Sequence, residues 1–148
     1  MNRRDVLTAA GGVVALSAAV SLADKAAKAA APTVAGAPAM GNKALIEAAE
    51  KCLSTGEACL EHCVRTLSSG DKSMAECAAT VRQMLPLCES LAQLARQDSK
   101  HLKALAAVCA AACRDCEAAC KKHQNHHVEC KACMESCQAC AAECEKLA

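Results

Sequence analysis

Two neighbouring stretches decide the fold: CAAACRDCEAAC, Cys109 to Cys120, and CKACMESCQACAAEC, Cys130 to Cys144. Together they set nine cysteines into 36 residues of alanine, glutamate and lysine, with no glycine or proline among them. Alanine and the long charged side chains favour helix, and the thiols recur at steps of three and four. At about 100° per residue, Cys109, Cys113, Cys116 and Cys120 fall within an arc of roughly 60°. Cys130, Cys133, Cys137, Cys140 and Cys144 span roughly 80° on their own helix. Each stretch is a helix with a rail of thiols along one face.

Working outward, the same pattern continues toward the N-terminus. Cys52, Cys59 and Cys63 share a face roughly 40° wide, and Cys77 and Cys88 share one roughly 20° wide. Each stripe is also the most apolar face of its segment, extended by Leu45 and Ala48, by Val81 and Met84, by Leu102 and Leu105, and by Leu147. The thiols therefore point inward. Four helical segments are expected: Lys43 to Ser68, Ser73 to Gln97, Asp98 or Ser99 to Lys122, and Asn125 to Lys146. Ser68-Ser69-Gly70-Asp71 stops the first, and Ser73-Met74-Ala75-Glu76 has the form of a capping box opening the second. Pro86 should kink that helix or break its hydrogen-bond ladder. His123-Gln124-Asn125 reads as a tight turn. Helices of similar length with short connections predict an all-α, antiparallel up-down-up-down four-helix bundle. No stretch alternates as a strand would.

Before residue 43 the sequence changes character. MNRRDVLTAAGGVVALSAAVSLA pairs Arg3 and Arg4 with an apolar run from about Val6 to Leu22 and then small residues. It resembles a twin-arginine export signal. The run is short of the roughly 20 residues that span a bilayer and is diluted by glycine and serine. Residues 1–31 are accordingly expected to be a cleaved leader to the periplasm that leaves no membrane span. Residues 32–42 are expected to be a linker and 43–148 the bundle.

Composition narrows the function. The 148 residues include 14 Cys, 5 Met and 5 His but no Phe, Tyr or Trp, and the net charge is +1. Interspersed charges of both signs give no footprint for nucleic acid. Cysteine outnumbers leucine beyond residue 40, so thiols must build much of the core. Free cysteine packs as a small hydrophobe, yet Ala, Val or Leu would pack without the risk of oxidation. Disulfides suit an exported chain. On one helix, however, Cβ atoms at i and i+4 lie about 5–6 Å apart, too far for the roughly 3.5–4.5 Å a bridge needs. Bridges would have to run between helices, and nine cysteines on two of them do not pair evenly with five on the others. A catalytic thiol requires one activated cysteine in a cleft, and nothing singles one out.

Metal fits the spacing better. Two thiolates at i and i+4 can close on one ion when their sulfurs come within roughly 4–5 Å. Five C-x3-C pairs exist: Cys59 with Cys63, Cys109 with Cys113, Cys116 with Cys120, Cys133 with Cys137, and Cys140 with Cys144. C-x2-C steps join them into ladders that suit many ions. Soft thiolates and thioethers select Cu(I), zinc or iron–sulfur clusters. One Cu(I) per thiolate leaves an apolar interior neutral, giving roughly 12 to 15 ions per chain. Zinc, which takes four ligands in a tetrahedron, and an interhelical disulfide staple are the alternatives. Cys109-x3-Cys113-x2-Cys116 also matches an iron–sulfur spacing, but such motifs wrap clusters on loops, whereas here the spacing follows from the helix. All fourteen cysteines (52, 59, 63, 77, 88, 109, 113, 116, 120, 130, 133, 137, 140 and 144) are the candidate ligands. His126, His123, Met74 and Met84 are candidates to complete the set at an open end, formed where the first–second and third–fourth helix turns meet. His62 and His127, well off the stripes, are expected to be solvated. Leu45, Leu91, Leu94, Leu102, Leu105 and Leu147 should plug the opposite end.

Inward C-x3-C ladders on four alanine-rich helices resemble the bacterial copper storage proteins, and the leader resembles that of their exported members. The resemblance covers about residues 41–148 plus the leader. It implies Cu(I) as cargo, a homotetramer, a copper-requiring client enzyme and no catalytic activity.

Overall fold

A computed structural model describes residues 40–147. The leader and nearly all of the expected linker lie outside them. Among the described residues there are four α-helices, α1 (Lys43–Ser68), α2 (Ala75–Arg96), α3 (Leu102–Lys121) and α4 (Val128–Glu145), and no strand. Each helix packs against its chain neighbours, and α4 closes on α1. Sulfur pairings fix the directions: Cys52 meets Cys137 while Cys59 meets Cys130, and Cys88 meets Cys109 while Cys77 meets Cys120. Chain number rises on one partner as it falls on the other, so neighbouring helices are antiparallel. No described helix is long and apolar enough to cross a membrane.

Helix ends depart from expectation in instructive ways. Met40–Asn42, the last part of the expected linker, forms a 3-10 turn. The Asn42 side chain is buried and donates to the Ala95 carbonyl at 3.2 Å and to Asp98 Oδ1 at 3.3 Å. The start of α1 is thereby pinned to the end of α2. Asp98 does not start α3. It sits at φ 48, in the left-handed region, as the residue after the α2 cap. Its amide donates to Ala95 O and the Ser99 amide to Leu94 O, the two bonds of a Schellman ending. That places the start of α3 at Leu102.

The capping box at Ser73 is also absent. Gly70 turns the chain at φ 93, where only glycine is unstrained. Asp71 then accepts from the Ser73 amide at 2.9 Å and caps a 3-10 turn, Lys72–Met74, that leads into α2. Pro86 does not break α2, which continues from Ala75 to Arg96. The proline is exposed, so water can reach the Arg82 carbonyl left without a donor.

The core is one buried cluster along the bundle axis. At the end where α1 starts and α4 stops, Leu45, Ile46, Leu91 and Leu102 are buried, with Leu94, Leu105 and Leu147 packed against them. This is the expected apolar plug. Fully burying one leucine contributes about 1.5–3 kcal/mol. From the plug onward the interior changes from leucine to sulfur.

Candidate metal centre

All fourteen cysteines are buried, none more than 1% exposed, and all are free. The inward stripes are thus as the helical spacing required. Closest of the thiol pairs are Cys77 and Cys120 at 3.3 Å, followed by Cys52–Cys137 and Cys88–Cys109 at 3.6 Å. A disulfide bond would be near 2.05 Å, so the disulfide-stapled alternative is not the state of this bundle.

Contacts run both across helices and along them. Cys59 touches Cys77, Cys120 and Cys130 on the other three helices, at 3.7, 4.0 and 3.9 Å. Cys88 likewise touches Cys109, Cys113 and Cys140 at 3.6, 3.8 and 3.9 Å. Five groups have all their sulfurs within 4.8 Å of one another. Two contain four thiols: Cys52, Cys88, Cys113 and Cys140, with one from each helix, and Cys59, Cys63, Cys77 and Cys130. The others are Cys59, Cys120 and Cys133; Cys109, Cys140 and Cys144; and Cys116, Cys133 and Cys137. Every cysteine belongs to at least one group, and Cys59, Cys133 and Cys140 each belong to two. Shared members join the groups into two runs, one through Cys140 and one through Cys59 and Cys133, and the Cys52–Cys137 contact at 3.6 Å links the runs into one column in place of isolated sites.

Protons are unevenly held along this column. Cys88, Cys120 and Cys137 are pushed up, first by hydrogen bonding with Cys109, Cys116 and Cys113 respectively, with burial adding to the effect. Cys77 is drawn down to about 4, first by its hydrogen bond with Cys120. Cys144 is pushed up to about 12: the hydrogen bond with Cys109 pulls it down but is outweighed by the one with Cys140 and by burial. Neutral thiols can share an apolar interior without large cost, whereas a row of bare thiolates could not.

The candidates proposed for the open end sort differently. Met74 is fully buried in the 3-10 turn before α2, at that end. Met84 is not at the end at all. Its sulfur lies 3.4 Å from Cys52 Sγ and 3.3 Å from Cys88 Sγ, inside the column. His126 is exposed in the turn before α4. Because α4 begins at Val128, the helical wheel does not reach His126. His123 is half-buried, its ring 6.1 Å from that of His127.

His62 and His127, expected to be solvated, are half-buried and paired. His62 Nε2 and His127 Nδ1 are 2.8 Å apart, and Glu129 Oε2 is 3.6 Å from His62 Nδ1. Helix-by-helix reading misses this pair because His62 lies on the flank of α1 while His127 sits in the turn before α4 begins. The two meet where α1 approaches that turn.

A four-helix bundle with a column of free, close-set thiols defines a helical container for soft metal ions. The family described as Csp, copper storage protein, matches residues 39–148. The chain belongs to the copper storage protein family. Among solved structures it is similar to apo copper storage protein 3 from Bacillus subtilis, with 27% identity and a TM-score of 0.63. That match covers 72% of this chain and 97% of that one. The Cu(I)-bound form of the Bacillus protein matches with 27% identity and a TM-score of 0.65, over 74% and 99% of the two chains. A copper storage protein from Streptomyces lividans, loaded with 10 copper equivalents, shares the fold at 24% identity and a TM-score of 0.64, over 74% and 90%. No curated protein sequence matches the chain significantly.

Proposed function

We propose that this chain stores Cu(I), many ions per bundle, on the fourteen thiolates of its interior. The observation that carries this reading is the shared membership of the sulfur groups, since a thiolate common to two groups can bridge two ions. With about one copper per cysteine the column is electrically neutral. Zinc fits less well. Each of the two four-thiol groups could hold Zn2+ in a tetrahedron, but four thiolates around a dication leave net negative charge in an apolar core. Only eight of the fourteen thiols would then be used. Burial of all fourteen thiols in the column supports storage over nucleophilic chemistry at any one of them.

Copper enters at the end formed by the α1–α2 and α3–α4 turns, because leucine closes the other. His62, His123 and His127 border that end, with Met74 beneath it, and ions pass inward from sulfur to sulfur. The twin-arginine-like leader supports export to the periplasm, and the family resemblance supports a homotetramer that serves a copper-requiring enzyme.

X-ray absorption at the copper edge of the anaerobically loaded protein tests the site. A first shell made almost wholly of sulfur is expected. A shell dominated by nitrogen and oxygen would refute storage on the thiols.

A further inference from the structure

The rails of α3 and α4 follow one step, 4-3-4: Cys109, Cys113, Cys116, Cys120 and Cys133, Cys137, Cys140, Cys144. Continued on α1, the same step reads Cys52, Gly56, Cys59, Cys63. On α2 it reads Cys77, Val81, Met84, Cys88. Three rungs of this regular pattern therefore carry no thiol, and two of them face each other. A β-carbon added to Gly56 would lie 2.8 Å from Met84 Cε and 2.9 Å from Leu85 Cδ2. The Met84 side chain lies directly over the Gly56 backbone, its methyl in the space a side chain there would fill.

We propose that Met84 is a copper ligand in the middle of the column, and that Gly56 is the notch that holds its thioether in place. The orientation of the side chain carries the inference. Methionine often serves as a flexible filler, but a filler has no reason to turn its sulfur toward other sulfurs. Here the carbon end fills the notch, and Sδ stands 3.4 Å from Cys52 Sγ and 3.3 Å from Cys88 Sγ. Both thiols belong to the group completed by Cys113 and Cys140, so a fifth sulfur joins the one four-thiol group drawn from all four helices. Val81, the third rung without a thiol, is fully buried and offers no donor, as ordinary packing requires.

The chemistry differs from that of a cysteine at the same rung. A thioether donates a lone pair without bringing charge, so one Cu(I) can gain a ligand while the core stays neutral. Thioethers also favour Cu(I) over zinc, whose protein ligands are thiolate, imidazole and carboxylate. The rung thus biases the four-thiol group against the ion its geometry would otherwise accept.

This inference rests on the storage reading, and the experiment separates the two. The full chain, reduced, anaerobic and labelled with 13C at its methionine methyls, is titrated with Cu(I) and followed by NMR. The Met84 signal is assigned by its loss in Met84→Leu. It is expected to shift during loading, and Met84→Leu, a volume-conserving change, is expected to give up one copper equivalent early to a competing chelator. Gly56→Ala keeps the sulfur but obstructs its methyl, and should give up the same equivalent. A methyl that stays fixed at full loading, or a leucine variant with an unchanged competition curve, overturns the ligand role. A wild-type curve for Gly56→Ala overturns the notch. Failure to load more than a few ions would instead sink the storage reading itself.

Discussion

The thiol of Cys144, at the leucine end of the column, is pushed up to about 12, and Cys88, Cys120 and Cys137 are also raised above the usual 9.0. At neutral pH these groups hold their protons, so copper must displace a proton from each of them as it binds. The sign follows directly: lowering the pH favours the protonated thiol and weakens copper retention, and raising it strengthens retention. An unbuffered anaerobic titration should release about one proton for each of these raised thiols that takes up copper. Between pH 7.5 and 5.5, retention against a pH-insensitive competitor should fall by about tenfold per unit for each proton exchanged. Retention that is flat across this range would mean that these raised thiols are already ionised in the apo bundle.

Individual helices divide into what local spacing reveals and what it hides. The thiol rails were legible in the sequence because a helix repeats every 3.6 residues whatever surrounds it. Helix ends were less so. Asp98 looks like a residue that opens a helix, yet it closes α2 in the left-handed region, held by the buried amide of Asn42. Met84 and Gly56 were obscured for a different reason: a ladder read only through its cysteines skips the rungs that carry something else. At this scale the plug and the column are separable. Leu91→Ala, at a fully buried position of the plug, should cost the apo protein about 2–5 kcal/mol. It should leave the number of coppers bound unchanged. Chemical denaturation of the reduced apo protein, followed by copper titration of the same variant, checks both parts. Asn42→Ala should cost about 1–3 kcal/mol by leaving the pinned end of α2 unpaired.

Across the whole molecule the apo bundle is already complete. Thr55 and Ser136 meet across α1 and α4 at 2.5 Å, and no described buried side-chain nitrogen or oxygen lacks a partner. Arg114 reaches Glu145 to tie α3 to α4, and Lys122 reaches Glu76 to tie α2 to α3. Neutral thiols and leucines bury together without an ion, so the reduced, metal-free chain should show strong helical circular dichroism that loading changes little. A coil that folds only on adding copper would contradict this. What no single-helix reading could supply is the pairing of His62 with His127, because only the assembled bundle brings the flank of α1 to the turn before α4. The central claim is that the thiol column is a store and not a single site. Mass spectrometry of the reduced protein, loaded anaerobically with excess Cu(I), tests it most directly. The account predicts roughly 12 to 15 coppers per chain with all thiols metal-bound, whereas one to four ions, or a mass lowered by disulfide formation, would contradict it.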